Sequence, residues 1–232
     1  MINLDLHDIR KSFYDYNRDN NQITIEFPFL NKDSIVLDLG GYKGDWASDI
    51  YSKYLCNIEV FEPIPKFYNN IKKRFINNSK IKSFNIGAYS TNTDIDMILD
   101  KDGSSIYKQS NSNIVETNCK FKSILDICSD YDTIDLIKLN VEGSEYDILP
   151  VLLNSDMINN VKSLLIQFHE ISSINHLKYR NKIIKSIHNI GFKDYFIFPY
   201  VWESFIKKDI PIDKLVPNCK LKGFKIKKGK IK

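Results

Sequence analysis

The chain has 232 residues, 43% of them hydrophobic and 27% charged, which is ordinary for a globular protein able to bury a core without disulfides or metals. Its net charge of +4 is misleading: Lys220 to Lys232 holds seven lysines and no acid, and subtracting them leaves −3 for the body, so the body is not a basic nucleic-acid platform. No apolar run approaches the ~20 residues of a membrane helix, and the charges of Met1 to Asn20 exclude a signal-peptide core.

In chain order, Leu6, Ile9, Phe13 and Tyr16 recur at helical spacing and predict an amphipathic helix over Leu4 to Tyr16. Ser34 to Gly40 is a compact apolar run that reads as a buried parallel strand. A helix is expected from Asp45 to Leu55, a strand over Asn57 to Glu62, and a helix from Pro65 to Ile76. Lys82 to Ala88 reads as one strand, and Asp94 to Leu99 as another, lying across the sheet. A Gly, Ser and Asn-rich loop follows from Gly103 to Asn113, then a short helix over Lys122 to Cys128. Ile134 to Val141 and Ser163 to Phe168 are strong strands, separated by a helix at Tyr146 to Leu153. Leu177 to Ile190 is a helix stopped by Gly191, and Phe192 to Phe198 and Gly223 to Ile226 are late strands. This alternation implies an α/β fold: a mainly parallel, twisted sheet with helices on both faces. Ligands of such sheets bind beyond the carboxyl ends of the strands, here Asp38 to Gly41, Glu62, Asn140 to Gly143, and His169-Glu170.

The turn Asp38-Leu-Gly-Gly-Tyr-Lys-Gly44 joins the first strong strand to a helix. Glycines permit a tight turn and close backbone approach to a ligand. Glu62 ends the next strand, 22 residues after Gly40, where a carboxylate can accept hydrogen bonds from ribose hydroxyls. The G-x-G-x-x-G dinucleotide fingerprint is absent, and so is a Lys-Ser/Thr phosphate pair after Gly44. An acidic turn suits a cationic cofactor better than a pyrophosphate. S-adenosylmethionine carries a sulfonium and an ammonium, so Asp38 is electrostatically sensible beside it.

Four stretches resemble the FkbM-type family of S-adenosylmethionine-dependent methyltransferases: Val36 to Gly44, Val60-Phe-Glu-Pro-Ile-Pro65, Asn85-Ile-Gly-Ala-Tyr-Ser90, and Ile134 to Glu145. The last carries the most specific match, to a strand ending K-x-D-x-E-G-x-E, and Ile166-Gln-Phe-His-Glu170 resembles the family's next strand end. The resemblance spans roughly residues 34 to 170. It implies a Rossmann-like methyltransferase fold and O-methylation of sugars or polyketide-type hydroxyls. It further implies Asp38, Gly40 and Gly44 near the methionine part, Glu62 on the ribose, and Gly87 and Ala88 near the adenine. Gly41, Pro63 and Asn140 belong to the same strand ends and are grouped with the cofactor residues. Asn140 stands where the family usually has Asp; it keeps an acceptor oxygen and loses the charge, which weakens a base or metal-ligand role there. Residues 1–30 are then a helical extension docked on the core, 31–219 the methyltransferase domain, and 220–232 a lysine-rich tail.

A hydroxyl is a weak nucleophile, so a general base would help its methylation. His169 is the first candidate, because it ends a buried strand and has an ordinary pKa of ~6.5. Glu142 is the second. Either Glu142 or Glu145 could instead brace the strand end through backbone N–H groups. Ser104, Ser105 and Tyr107, together with Glu170, are the candidates for binding a polar acceptor such as a sugar. His7, His176 and His188 read as surface residues. Cys56, Cys119, Cys128 and Cys219 form no C-x-x-C pair, so reduced thiols and no metal site are expected. The expectation is a cytoplasmic, soluble O-methyltransferase for a carbohydrate acceptor, with oligomeric association left open and without nucleic-acid binding or stable membrane insertion. Two rivals stay open: a nicotinamide-dependent reductase and a non-catalytic binding protein that keeps the fold.

Overall fold

A computed structural model of the protein describes residues 6–20, 22–98 and 116–210. The polar loop Gly103 to Asn113, the strand expected over Gly223 to Ile226, and the lysine-rich tail lie outside the described residues. In chain order the elements are α1 (Leu6–Asn20), β1 (Ile35–Leu39), α2 (Asp45–Tyr54), β2 (Asn57–Phe61), α3 (Pro65–Arg74), β3 (Ile81–Phe84), β4 (Gly87–Tyr89), β5 (Thr93–Ile98) and β6 (Glu116–Ser123). There follow α4 (Ile124–Cys128), β7 (Leu136–Leu139), α5 (Glu145–Leu153), β8 (Ser163–Ile166), α6 (His176–Asn189), β9 (Phe192–Phe198) and β10 (Trp202–Lys207).

The apolar runs pair into a seven-stranded sheet of order β3-β2-β1-β7-β8-β10-β9. The first five of these strands are mutually parallel, and β10 runs antiparallel to both β8 and β9. Side chains alternate across a strand, so each strand feeds two cores. Val36 and Leu136 join Ile9 and Phe13 of α1, Ile50 of α2 and Ile71 of α3 on one face. Leu37, Leu39, Ile137 and Leu139 join Ile148 and Leu149 of α5 and Ile183 and Ile187 of α6 on the other. Burying each such side chain contributes about 1.5–3 kcal/mol, which is why these short runs outcompete other local conformations. The chain moves outward from β1 to β2 and β3, then returns to place β7 on the other side of β1. The strand order reverses there, and a crevice lies beyond the carboxyl ends of these strands.

Three features depart from the expected elements. The single strand over Lys82 to Ala88 is broken: β3 stays in the main sheet, while β4 joins a second sheet of order β4-β6-β5. The break falls at Asn85, whose side-chain amide donates to the carbonyls of Glu62 (3.0 Å) and Pro63 (2.8 Å) and turns the chain around the end of β2. Neither β6 nor β10 is anticipated by the sequence. In β6, Cys119 and Phe121 are buried among polar neighbours. In β10 the buried Glu203 and Ser204 look like loop residues until their partners are known. Arg180 of α6 donates to Glu203 Oε1 at 2.7 Å, and Ser204 Oγ donates to the Leu164 carbonyl at 3.0 Å. Among the described residues, no helix is long and apolar enough to cross a membrane.

Candidate active site

The crevice is a cleft, open on one side, at the carboxyl ends of β1, β2 and β7 and closed off by the small sheet. Gly40, Glu62, Pro63, Gly87, Ala88, Asn140 and Glu142 line it, and all seven were singled out from the sequence. Tyr42, Ile64, Phe67, Met97, Phe121, Val141 and Ser144 line it too. Tyr42, Ile64, Val141 and Ser144 fall within the motif stretches without having been singled out, whereas Phe67, Met97 and Phe121 carry no local signal, because α3, β5 and β6 reach the cleft only through the tertiary fold. Glu170 is exposed and not part of this wall, and Ser104, Ser105 and Tyr107 lie outside the described residues.

The glycine turn is hung from β2. Gly40 and Gly41 both donate backbone N–H groups to the Phe61 carbonyl, at 3.0 and 3.2 Å. Gly40 has φ +84, and a Cβ there would lie 1.9 Å from the Asn140 carbonyl oxygen, so only glycine lets the two strand ends touch. Gly41 lies over Val60 and Gly44 beside Phe75, so these two shape the turn from behind rather than line the cleft. Glu62 is buried; its Oε2 accepts from Tyr42 N at 2.8 Å and its Oε1 from Ile64 N at 3.0 Å. Burial pushes its carboxyl up from 4.5 to about 7, against these two hydrogen bonds and the charge of Lys138.

Asp38 does not present a free negative charge to the cleft. It is fully buried, and its Oδ1 accepts from Lys138 Nζ at 2.7 Å. Lys138 also donates to the Gly40 carbonyl at 2.8 Å and sits over the Trp46 ring, 5.7 Å from its centroid. Burial raises the Asp38 pKa and Lys138 opposes that shift. The simple argument that an acidic turn attracts a cation is therefore corrected: the lysine on the adjacent strand largely neutralises the acid. A readable signal existed, since Lys138 is the one charge in the apolar run of β7 and is the register partner of Asp38. Among the described residues, two buried side-chain acceptors have no hydrogen-bond donor, Asp38 Oδ2 and Asn140 Oδ1. Both stand at the paired ends of β1 and β7, and each unmet acceptor costs about 1–3 kcal/mol.

The third group stands beside this wall. Glu142 has φ +52, uncommon for a residue with a Cβ, and Gly143 follows at φ +112. Glu145 holds this corner: its Oε2 accepts from Gly143 N at 2.9 Å and its Oε1 from His169 N at 2.7 Å. It is thus the glutamate that braces the strand end. The His169 ring lies between two carboxylates, with Nδ1 3.2 Å from Glu145 Oε1 and Nε2 3.5 Å from Glu142 Oε1. Burial alone would lower its pKa, but the hydrogen bonds and charges of Glu142 and Glu145 outweigh burial and push it up from 6.5 to about 9. The expectation of an ordinary imidazole base near neutral pH is corrected accordingly: at pH 7 this ring carries its proton. His176, expected at the surface, is only half exposed, with Nδ1 3.0 Å from the Tyr200 hydroxyl. Among the described residues, no group of His, Cys, Asp and Glu is placed to hold a metal ion.

The family model described as the Methyltransferase FkbM domain matches residues 38–193, which include both the glycine turn and the His169 corner. No curated protein shows significant sequence similarity to this chain. Among solved structures, a putative rRNA methylase from Clostridium thermocellum is similar with a TM-score of 0.51 at 9% identity, covering 82% of this chain and 94% of that one. Aeropyrum pernix fibrillarin, solved with bound S-adenosyl-L-methionine, is similar with a TM-score of 0.48 at 10% identity, covering 85% and 73%. At such identities the likeness is one of fold: the Rossmann-like methyltransferase architecture. More than half of the chain matches the family model, and the chain belongs to the FkbM methyltransferase family, whose cofactor is S-adenosylmethionine.

Proposed function

We propose that this methyltransferase methylates a hydroxyl of a carbohydrate, with a nucleotide-linked sugar for a surface glycan as the acceptor. The observation that carries O-methylation is Glu142, a carboxylate on the cleft wall at a left-handed corner, with its Oε1 3.5 Å from His169 Nε2. S-adenosylmethionine supplies a methyl group already activated on sulfur. The residues of this chain then have to align the acceptor oxygen and receive its proton.

The unmet acceptor Asn140 Oδ1 suits an N–H donor of the cofactor's ammonium, and Gly40 lets the backbone approach it, while Asp38, buried against Lys138 and outside the cleft wall, supports the turn from behind. Glu62 suits the ribose hydroxyls, with lone pairs left after its two backbone bonds. Gly87 and Ala88 suit one wall of the adenine. Glu142 is assigned as the base. His169 is a positioning residue, whose positive charge orients Glu142 while Glu145 fixes the ring. This reverses the order of the two candidates drawn from sequence, because a ring that is already protonated cannot accept the acceptor's proton.

The carbohydrate assignment rests on the hydroxyl-bearing stretch with Ser104, Ser105 and Tyr107, and on the mildly acidic body, which disfavours nucleic acid. A cytoplasmic setting fits the free, buried Cys56, Cys119 and Cys128. The test is incubation with methyl-labelled S-adenosylmethionine and three acceptor classes: nucleotide-linked sugars, free saccharides and RNA. Label is expected as an ether on the sugar, with nucleotide-linked forms preferred. Label in RNA, or on a nitrogen or carbon, contradicts the proposal.

A further inference from the structure

Tyr42 gains little locally from being a tyrosine: the neighbouring Lys43 ammonium sits 4.9 Å from its ring centroid, a contact worth little at an exposed site. Its φ is +50, a conformation that disfavours a Cβ. Its side chain is not compensated by burial, since the residue is 38% exposed. What it does gain is a position. The residue lines the cleft, and its ring meets the Phe67 ring edge to face, with centroids 4.6 Å apart and planes at 66°. Phe67 comes from the first turns of α3 and lines the same cleft. The Tyr42 backbone N–H donates to Glu62 Oε2, so the left-handed conformation that orients Glu62 also sets the ring beside it.

We propose that the Tyr42–Phe67 pair forms one aromatic wall of the cleft, against which the nucleoside part of the cofactor packs, with Tyr42 setting its affinity. The cleft combines what such a ligand requires: the polar Asn140, Glu142 and Ser144, the aromatic Tyr42–Phe67 pair, and Glu62, whose Oε2 accepts from the Tyr42 N–H and which can face sugar hydroxyls. An aromatic face beside Glu62 supplies apolar contact to a purine nucleoside without reading its edge. The proposal rests on the methyltransferase reading and extends it to residues of the glycine turn outside the glycines themselves.

The test is calorimetric titration of S-adenosylmethionine, S-adenosylhomocysteine and adenosine into the wild type, Tyr42→Phe, Tyr42→Asn, Tyr42→Gly and Phe67→Ala. Asn and Gly both tolerate the left-handed backbone, so the fold and the Glu62 hydrogen bond should survive, with a melting temperature equal to or above that of the wild type. Tyr42→Asn and Tyr42→Gly are expected to weaken all three ligands by roughly 10-fold or more, the scale of one lost base–aromatic contact. Tyr42→Phe should stay within about 3-fold of wild type, because the ring and not the hydroxyl makes the contact. Phe67→Ala should weaken the same ligands and combine sub-additively with Tyr42→Gly, as residues in contact do. A Tyr42→Gly protein that melts and binds like the wild type overturns the proposal while leaving the cofactor assignment intact. A wild type silent toward both methyl-cofactor forms overturns the cofactor reading and this proposal together.

Discussion

Alanine at Gly40 is expected to abolish detectable cofactor binding and to lower the melting temperature by on the order of 10 °C, in a protein that otherwise still folds. Two costs combine. A Cβ at φ +84 is disfavoured by roughly 1–2 kcal/mol. It would also stand 1.9 Å from the Asn140 carbonyl oxygen, so one strand end must move, at a further ~1–3 kcal/mol. The functional loss is larger than the stability loss because the displaced groups are those that define the cleft. Gly40 hangs from the Phe61 carbonyl and accepts from Lys138, and Asn140 holds one of the two unmet acceptors. Thermal melts with and without S-adenosylmethionine check this. A Gly40→Ala protein that keeps the full ligand-induced shift contradicts the geometry described for the turn.

Glutamine at Glu142 should lower turnover by about 10²–10⁴-fold while leaving cofactor affinity within a few fold, as expected for loss of a general base. His169→Asn should lower turnover less, and the double variant should be no worse than Glu142→Gln alone, because the two residues act as one unit. Steady-state kinetics at saturating cofactor check both statements. His169 also has a signature in stability. Its folded pKa of about 9 lies above the unfolded 6.5, so its contribution is complete below pH 6.5 and is lost as pH rises through 9. The full span is about 3 kcal/mol. Glu62 acts in the same direction over a lower window: its pKa is raised from 4.5 to about 7, so folding becomes less favourable as its buried charge forms between those values. Urea melts should therefore show falling stability from pH 5 to pH 9. In His169→Asn the decline above pH 6.5 should flatten, whereas the decline below it should remain.

What could be seen in the sequence followed from local physics. The strands β1, β2, β7 and β8 are apolar runs of the length a doubly covered sheet requires, and the glycines and Glu62 fall at their ends. The end of β7 and the His169 corner were visible as a motif, although not their geometry. What could not be seen is set by partners distant in sequence. Glu203 becomes a strand residue only because Arg180 meets it, and β4 leaves the main sheet only because Asn85 grips the end of β2. Asp38 looks like a free anion until Lys138, 100 residues later, pairs with it. The two glutamates that converge on the His169 ring, Glu142 and Glu145, could not be placed there from the sequence either. Tyr42 lies in the glycine turn, but its pairing with Phe67 carries no signal until the turn and α3 are brought together.

The most direct test of the account is the melting temperature of the purified chain with S-adenosylmethionine, with S-adenosylhomocysteine, and with NADH. A ligand held at ~100 times its dissociation constant adds about 2.7 kcal/mol, which for a domain of this size is a rise of roughly 5–10 °C. The account predicts that rise with both methyl-cofactor forms and none with NADH. No shift with either form, or a shift with NADH alone, would contradict it.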